Sequence, residues 1–172
     1  LMLESELDYE ELHAVAVGVG PGSYTGIRLS CAVAQGIAFA QGLKAITLSS
    51  LELLSMEANI KTSASSIVAI SEANLGNIYI VDTTFLDGAM ESSFRFIPWQ
   101  SLELNQFAEE CIFIGDGCSL FSDIVNQLPD SSPRASYLLE AAQKRLNNGN
   151  TINPEEILPI YLNDENSWKK VK

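Results

Sequence analysis

Histidine is almost missing from this chain, and basic residues are scarce. Of 172 residues one is a histidine, ten are lysine or arginine and 22 are acidic, giving a formal net charge of −12 at pH 7. Affinity for a phosphate backbone comes mostly from lysine and arginine. A chain this acidic is not expected to hold RNA or DNA by itself, and the three lysines near the end (Lys169, Lys170 and Lys172) read as a solvated tail. The single histidine, His13, excludes a metal motif that needs two histidines on one helical face. The three cysteines, Cys31, Cys111 and Cys118, are odd in number and far apart, which argues against a disulfide framework. Cys111 and Cys118 have no histidine near them, so a zinc site is not expected. No signal peptide is expected from the residues given, and they contain no apolar run long enough to span a membrane. The cytoplasm is the expected location.

What is present is core-forming material. Apolar residues make up 47% of the chain and charged residues 19%, the balance of a globular protein with room for one domain or slightly more. The opening "LMLESELDYEEL" has no initiator methionine. Leu3, Leu7 and Leu12 lie roughly on one helical face with acids between them. This stretch is expected to be the end of a helix in a chain that starts inside an element.

The most distinctive segment is "HAVAVGVGPGSYTGIRLSCAVAQGIAFAQG", residues 13–42. An apolar strand runs into glycines and a helix leaves them. Ser23 or Thr25 can cap that helix, and Gly42 stops it. The dinucleotide fingerprint G-x-G-x-x-G fails on spacing, because Gly18 and Gly20 are followed by Gly22 and then Gly26. A phosphate-binding P-loop needs Gly-Lys-Ser/Thr, and no lysine is present. Amides at a helix start can still hold an anion. The turn formed by Gly20, Pro21, Gly22 and Gly26 is therefore open to two readings, an anion cradle or a structural turn that aids packing, and packing is the commoner use.

The helix after the turn has an unusual pattern. At about 100° per residue, Ile27, Cys31, Ala34, Ile37 and Ala38 share one face, suited to a sheet. Thr25, Leu29, Ala32, Gly36 and Phe39 share the opposite face, with Arg28 and Gln35 as a narrow polar strip. No broad solvated face remains, so cover is expected on both sides, from another helix or from a partner protein.

Catalytic patterns are sparse. There is no G-x-S-x-G nucleophile elbow. The acidic pairs Glu10-Glu11, Glu109-Glu110 and Glu155-Glu156 are adjacent in sequence, and adjacent carboxylates on a helix do not face each other. Asp116 follows a strand, where ligand sites often form; its plain reading is a turn residue.

Along the chain, "KAITLS" (44–49) is a second strand, parallel to the first with a right-handed crossover. "SSLE" is a capping box in which Ser49 caps and Glu52 answers, and a helix through Leu51, Leu54 and Ala58 follows. Strands at 66–71, 77–85 and 93–99 form an antiparallel meander. A helix at 101–109, the strand "CIFIG", a helix at 119–127, and a helix capped by Ser132 with Pro133 in its first turn complete the plan. "NPEE" (153–156) opens one short turn, and "ILPIYL" is extended. The two parts are overlapping pieces of one scheme: with three strands before residue 1 the halves would repeat a ribonuclease H-like unit, so the first lobe is expected to lack its opening strands. The lobes are expected at 1–62 and 63–172, with about 159–172 packing back on the first.

The segment "GPGSYTGIR" with the small-residue helix and "SSLE" after it resembles the TsaB family, also called YeaZ, whose pattern is G-P-G-S-[FY]-T-G-[LI]-R. The ending "ILPIYLNDENSWKK" resembles the family's P-x-Y-L-R…W-K-K close. The chain departs from the family at Glu72-Ala73-Asn74, in place of an Asp-Ala-Arg type turn, at Asn163, where arginine is common, and most of all at the front, where the family's opening strands and most of its first long helix have no counterpart. The resemblance implies an α/β, actin-like ASKHA fold of two lobes. It also implies a non-catalytic subunit, without cofactor or metal, that helps form the threonylcarbamoyl group on adenosine next to the anticodon of tRNAs reading codons that start with adenine. The implied partners are a TsaD-like subunit and, through the complex, a TsaE-like ATPase; tRNA is met only indirectly, and self-association stays open. The implied contact residues are Ser23, Tyr24, Thr25, Arg28, Leu29, Ala32, Gln35, Gly36 and Phe39. The rival from another class is a nucleotide-binding ASKHA phosphotransferase or ATPase with phosphates on the glycine turns at 18–22 and 115–117. A metallopeptidase is opposed by the single histidine.

Overall fold

A computed structural model describes residues 2–87, 89–128 and 131–160. Among the described residues, four α-helices and seven strands run in the order α1 (Met2–Ser5), β1 (Ala14–Gly18), α2 (Tyr24–Gln41), β2 (Lys44–Leu48), α3 (Ser50–Thr62), β3 (Ser66–Glu72), β4 (Asn77–Leu86), β5 (Ala89–Pro98), β6 (Ile112–Ile114), β7 (Gln127–Leu128) and α4 (Ala135–Asn147). The contacts divide them into two units, Leu1–Ser50 with Arg134–Ile160, and Leu51–Pro133. The expectation by chain order drew the division at 62/63; by contacts α3 belongs with the second unit, and α4 with the first.

In the first unit β1 and β2 pair in parallel, Ala14 beside Lys44 through Gly18 beside Leu48. The α2 crossover between them is the strand–helix–strand unit read from the sequence. Ala45 also makes an antiparallel bridge to Ile152, on the chain that returns after α4. The core is Val17, Val19, Cys31, Ala34, Ala45 and Ile157, with Ile27, Val15 and Ile160 packed on it. Beyond Gly18 the chain keeps an extended path. Val19 N–H donates to Leu48 O, and Ile160 N–H donates to Val19 O at 2.9 Å. α4 lies over β1 and β2, burying Leu138, Ala141 and Ala142. The Arg145 guanidinium donates to Thr47 O at 2.5 Å and pins the end of α4 to β2.

In the second unit five strands lie in the order β5-β4-β3-β6-β7. β3, β4 and β5 form the expected antiparallel meander; β6 is parallel to β3, and β7 to β6. Alternation sorts the side chains, since successive residues of a strand point to opposite faces. Val68, Ile70, Ile78 and Ile80 join Leu102, Cys111, Phe113 and Cys118 on one face. Ile67, Ala69, Val81 and Ile114 meet Leu51, Leu54 and Ala58 of α3 on the other. Each fully buried isoleucine or valine contributes about 1.5–3 kcal/mol relative to exposure. Inside this apolar face the Thr83 hydroxyl donates to Ser55 Oγ at 2.9 Å.

Several sequence expectations are corrected. The opening helix ends at Ser5; Glu6 takes a positive φ of 57°, and Tyr9–Glu11 is a single 3-10 turn closed by an Asp8–Glu11 capping box. No helix spans 101–109: short 3-10 turns occupy Trp99–Ser101 and Leu104–Gln106. Leu102, Leu104 and Phe107 all turn into the core. At about 100° per residue those three positions cannot share a helical face. The helix at 119–127 is likewise a 3-10 turn, Asp116–Leu120, followed by irregular chain. That irregular path lets Leu120, Phe121 and Ile124 pack on the core and lets Asn126 O accept from Phe113 N–H at 2.8 Å, which aligns β7. The last helix starts at Ala135, with Arg134 rather than Ser132 in the cap position and no side-chain cap bond there. Residues 161–172, which carry Asn163 and most of the closing family pattern, lie outside the described residues.

Candidate functional site

The glycine turn before α2 is built for packing. Gly20 sits at φ +100°, and a Cβ there would lie 2.7 Å from Ile27 Cδ1; one at Gly22 would lie 3.4 Å from the same atom. The Gly20–Pro21 peptide is cis. Ser50 N–H donates to Gly20 O at 2.8 Å, tying the turn to the chain just past β2. Ser23 is the cap: its side chain accepts from Gly26 N–H at 3.4 Å, and its carbonyl accepts from Ile27 N–H. Gly42 ends the helix in the left-handed conformation at φ 63° and returns its N–H to Ala38 and Phe39 carbonyls.

The faces of α2 fall as the period dictates. Cys31, Ala34 and Ala38 are buried, with Ile27 and Ile37 half-buried beside them. Thr25, Leu29, Ala32, Gly36 and Phe39 are exposed, and Val33 extends that face; Leu29 is 63% exposed, Val33 52% and Phe39 77%. Between the faces, the Arg28 guanidinium stacks 3.7 Å from the Tyr24 ring centre, and Gln35 Nε2 donates to Ile157 O at 2.9 Å. The two polar residues are thus held along the margin, and three large apolar side chains stand in solvent on one helix.

An open groove of about 580 Å³ runs along this face. Ala32, Gln35, Gly36 and Phe39 line one side, and Pro154 and Glu155 the other. The Pro154–Glu156 turn holds its place through an Asn153–Glu156 capping box and the Lys44 Nζ bond to Asn153 Oδ1 at 2.6 Å. The contribution of Pro154 and Glu155 was not read from the sequence, because they lie more than 100 positions from α2 and nothing local to "NPEE" points there.

The other sequence candidates do not join this face. His13 is exposed just before β1. Asp116 is a turn residue: its Oδ1 accepts from Gly117 N–H at 3.0 Å and Glu72 N–H at 3.3 Å. The neighbouring glycines press on β3, since a Cβ on Gly115 would lie 2.2 Å from Ile70 O and one on Gly117 2.6 Å from Ile70 Cγ2. Glu72 ends β3 and Asn74 is the first residue of the short turn at the tip of the β3–β4 hairpin; both are exposed. All three cysteines are free and buried. Burial raises each thiol; Cys118 is pushed up to about 12, with the Asp116 carboxylate adding to the effect of burial. Among the described residues no three of His, Cys, Asp and Glu come together as metal ligands, and no helix is long and apolar enough to cross a membrane.

These elements define an α/β protein of the actin-like, ribonuclease H-like class. The family model "TsaD: tRNA N6-adenosine threonylcarbamoyltransferase" matches residues 1–170. The tRNA threonylcarbamoyladenosine biosynthesis protein TsaB of Haemophilus influenzae is 30% identical over 99% of this chain and 78% of its own length. Its Escherichia coli namesake is 27% identical over 99% and 79%. Among solved structures, YeaZ from Pseudomonas aeruginosa superposes with a TM-score of 0.86 at 26% identity, over 94% of this chain and 80% of that one. The chain belongs to the TsaB (YeaZ) family.

Proposed function

We propose that this chain is a non-catalytic partner subunit in the formation of threonylcarbamoyladenosine on tRNA. It works in the cytoplasm with a TsaD-like subunit that carries the chemistry and a TsaE-like ATPase that joins through the complex. The relatives' names supply the pathway. The observation that carries the role is the outer face of α2, where Leu29, Val33 and Phe39 stand exposed beside small residues on a rigid, doubly capped helix. Ala32 and Gly36 allow another helix to come close, and the large side chains supply the apolar area that stable association needs. A standard interface removes roughly 800 Å² per partner, with a few central residues carrying most of the energy. The net charge of −12 directs tRNA contact to other subunits.

The test is reconstitution. Purified TsaD-like and TsaE-like subunits are assayed for modified adenosine on tRNA with and without this chain, and the chain alone is assayed for metal-stimulated nucleotide hydrolysis and peptidase turnover. Product that needs the chain, with no turnover by the chain itself, is expected. Metal-stimulated turnover by the chain, lost in Asp116→Ala or His13→Ala, refutes the non-catalytic reading.

A further inference from the structure

Resting on the reading of α2 as the partner-binding element, we propose that the groove between α2 and the Pro154–Glu156 turn receives a basic side chain, an arginine or a lysine, from the partner. Its chemistry selects that occupant. Ala32, Gly36 and Ala40 give it an apolar lining of small residues, fit for a methylene stem. A Cβ on Gly36 would meet nothing within 4 Å, so the space above it is open. Phe39, 77% exposed, also lines the groove, and a cation over an aromatic face is attracted by the ring quadrupole.

The polar atoms facing this space are acceptors. Gln35 spends its amide on Ile157 O, which leaves its carbonyl oxygen as an acceptor. The exposed Glu155 carboxylate has no hydrogen-bond or ion-pair partner among the described residues, while its neighbour Glu156 is occupied by the capping box. α2 itself carries one basic residue, Arg28, and that group is engaged with Tyr24 near the other end. A carboxylate, an aromatic ring and an apolar lining together match a long aliphatic stem ending in a cation, and disfavour an acidic or purely apolar occupant. The acidity of the whole chain adds long-range attraction for such a partner surface.

The experiment measures Kd for the TsaD-like subunit by titration at low and high salt, using the full chain and four variants. Leu29→Glu lies on the same helix face outside the groove and tests the α2 reading. Glu155→Lys and Gly36→Leu test the groove, by reversing its charge and filling it. Glu91→Lys, an exposed acid on β5, controls for net charge. Each groove variant is expected to weaken binding about tenfold or more while melting like the parent, and Glu155→Lys is also expected to flatten the salt dependence. If Leu29→Glu weakens binding while both groove variants stay within about twofold of the parent, the groove proposal is overturned and the α2 reading stands. If Glu91→Lys loses as much as Glu155→Lys, the effect is one of overall charge and the groove proposal is likewise overturned. If Leu29→Glu has no effect, the α2 reading falls and takes the groove with it.

Discussion

A glutamate placed on either face of α2 separates folding from association. Ala34 is 5% exposed and packs among Val17, Val19, Cys31, Ala45 and Ile157. Ala34→Glu forces extra atoms into a filled space, at about 1–3 kcal/mol. It also buries a carboxylate with no partner supplied, at several kcal/mol more unless the group protonates. Against a total stability of roughly 5–15 kcal/mol, that sum unfolds the protein or brings it close.

Leu29→Glu does the opposite. At 63% exposed, Leu29 contributes little to the free chain, and a surface change of this kind falls within about 0.5 kcal/mol. On association it forfeits part of a leucine's burial and places an unpaired carboxylate in a helix contact, together costing on the order of 2–5 kcal/mol, or about 30- to 5,000-fold in Kd. The assay is thermal melting of both variants, followed by co-purification with the TsaD-like subunit. The expected result is a melting temperature within about 2 °C of the parent for Leu29→Glu, with loss of the partner. Ala34→Glu should melt far lower or fail to fold. Unfolding by Leu29→Glu with a well-folded Ala34→Glu reverses the faces; a folded Leu29→Glu that still holds the partner refutes the interface.

Two further outcomes are expected. Gly115→Ala should cost several kcal/mol in denaturant titration, because its Cβ would sit 2.2 Å from Ile70 O at a φ of +107°; Gly42→Ala, at φ +63° with nothing within 4 Å, should cost only about 1 kcal/mol. The reverse ranking contradicts the close-packing account of the second glycine turn. Cys118 should make the fold alkali-sensitive. Its thiol titrates at about 12 when folded against an ordinary 9.0, so above pH 9 the unfolded chain holds fewer protons than the folded one and stability falls as pH rises toward 12. Each pH unit in that window costs up to about 1.4 kcal/mol, and Cys118→Ala should flatten the slope of stability against pH; an unchanged slope rules out Cys118 as its source.

Much of the first unit was legible because its signals are local. Ser23 caps, Gly42 stops, and the alternating small and large residues between them place Ala34 inward and Leu29 outward by period alone. The β3–β4–β5 meander was legible for the same reason, through alternation and short turns. The stretches at 101–109 and 119–127 misled because their composition suits a helix. At 101–109 the apolar spacing does not close into one helical face; at 119–127 Leu120, Phe121, Ile124 and Val125 do fall on one helical arc, yet Val125 is left 91% exposed. What fixed them was tertiary demand: Leu102, Leu104, Phe107 and Phe121 all reach one core. The placement of α4 over β1 and β2 was beyond any window of sequence, as was the return of Pro154 and Glu155 beside α2. Those contacts join residues between 87 and 133 positions apart.

The two glycine turns illustrate why composition alone could not decide between an anion cradle and a packing device. A cradle needs backbone N–H groups left free and pointing at open space. At Gly115–Gly117 the N–H of Gly117 is taken by Asp116 Oδ1, that of Cys118 by Gly115 O, and the space a side chain would fill is occupied by the backbone and side chain of Ile70. At the turn before α2, the N–H of Gly26 goes to Ser23 Oγ and that of Ile27 to Ser23 O, while Gly20 and Gly22 admit the Ile27 side chain. Glycine serves in both places for what it lacks, a Cβ, and the close approach it permits is to the chain's own isoleucines. The consequence at α2 is rigidity: a helix seated this tightly on its sheet presents Leu29, Val33 and Phe39 in a fixed array, so a partner that docks there loses little to ordering the surface it meets.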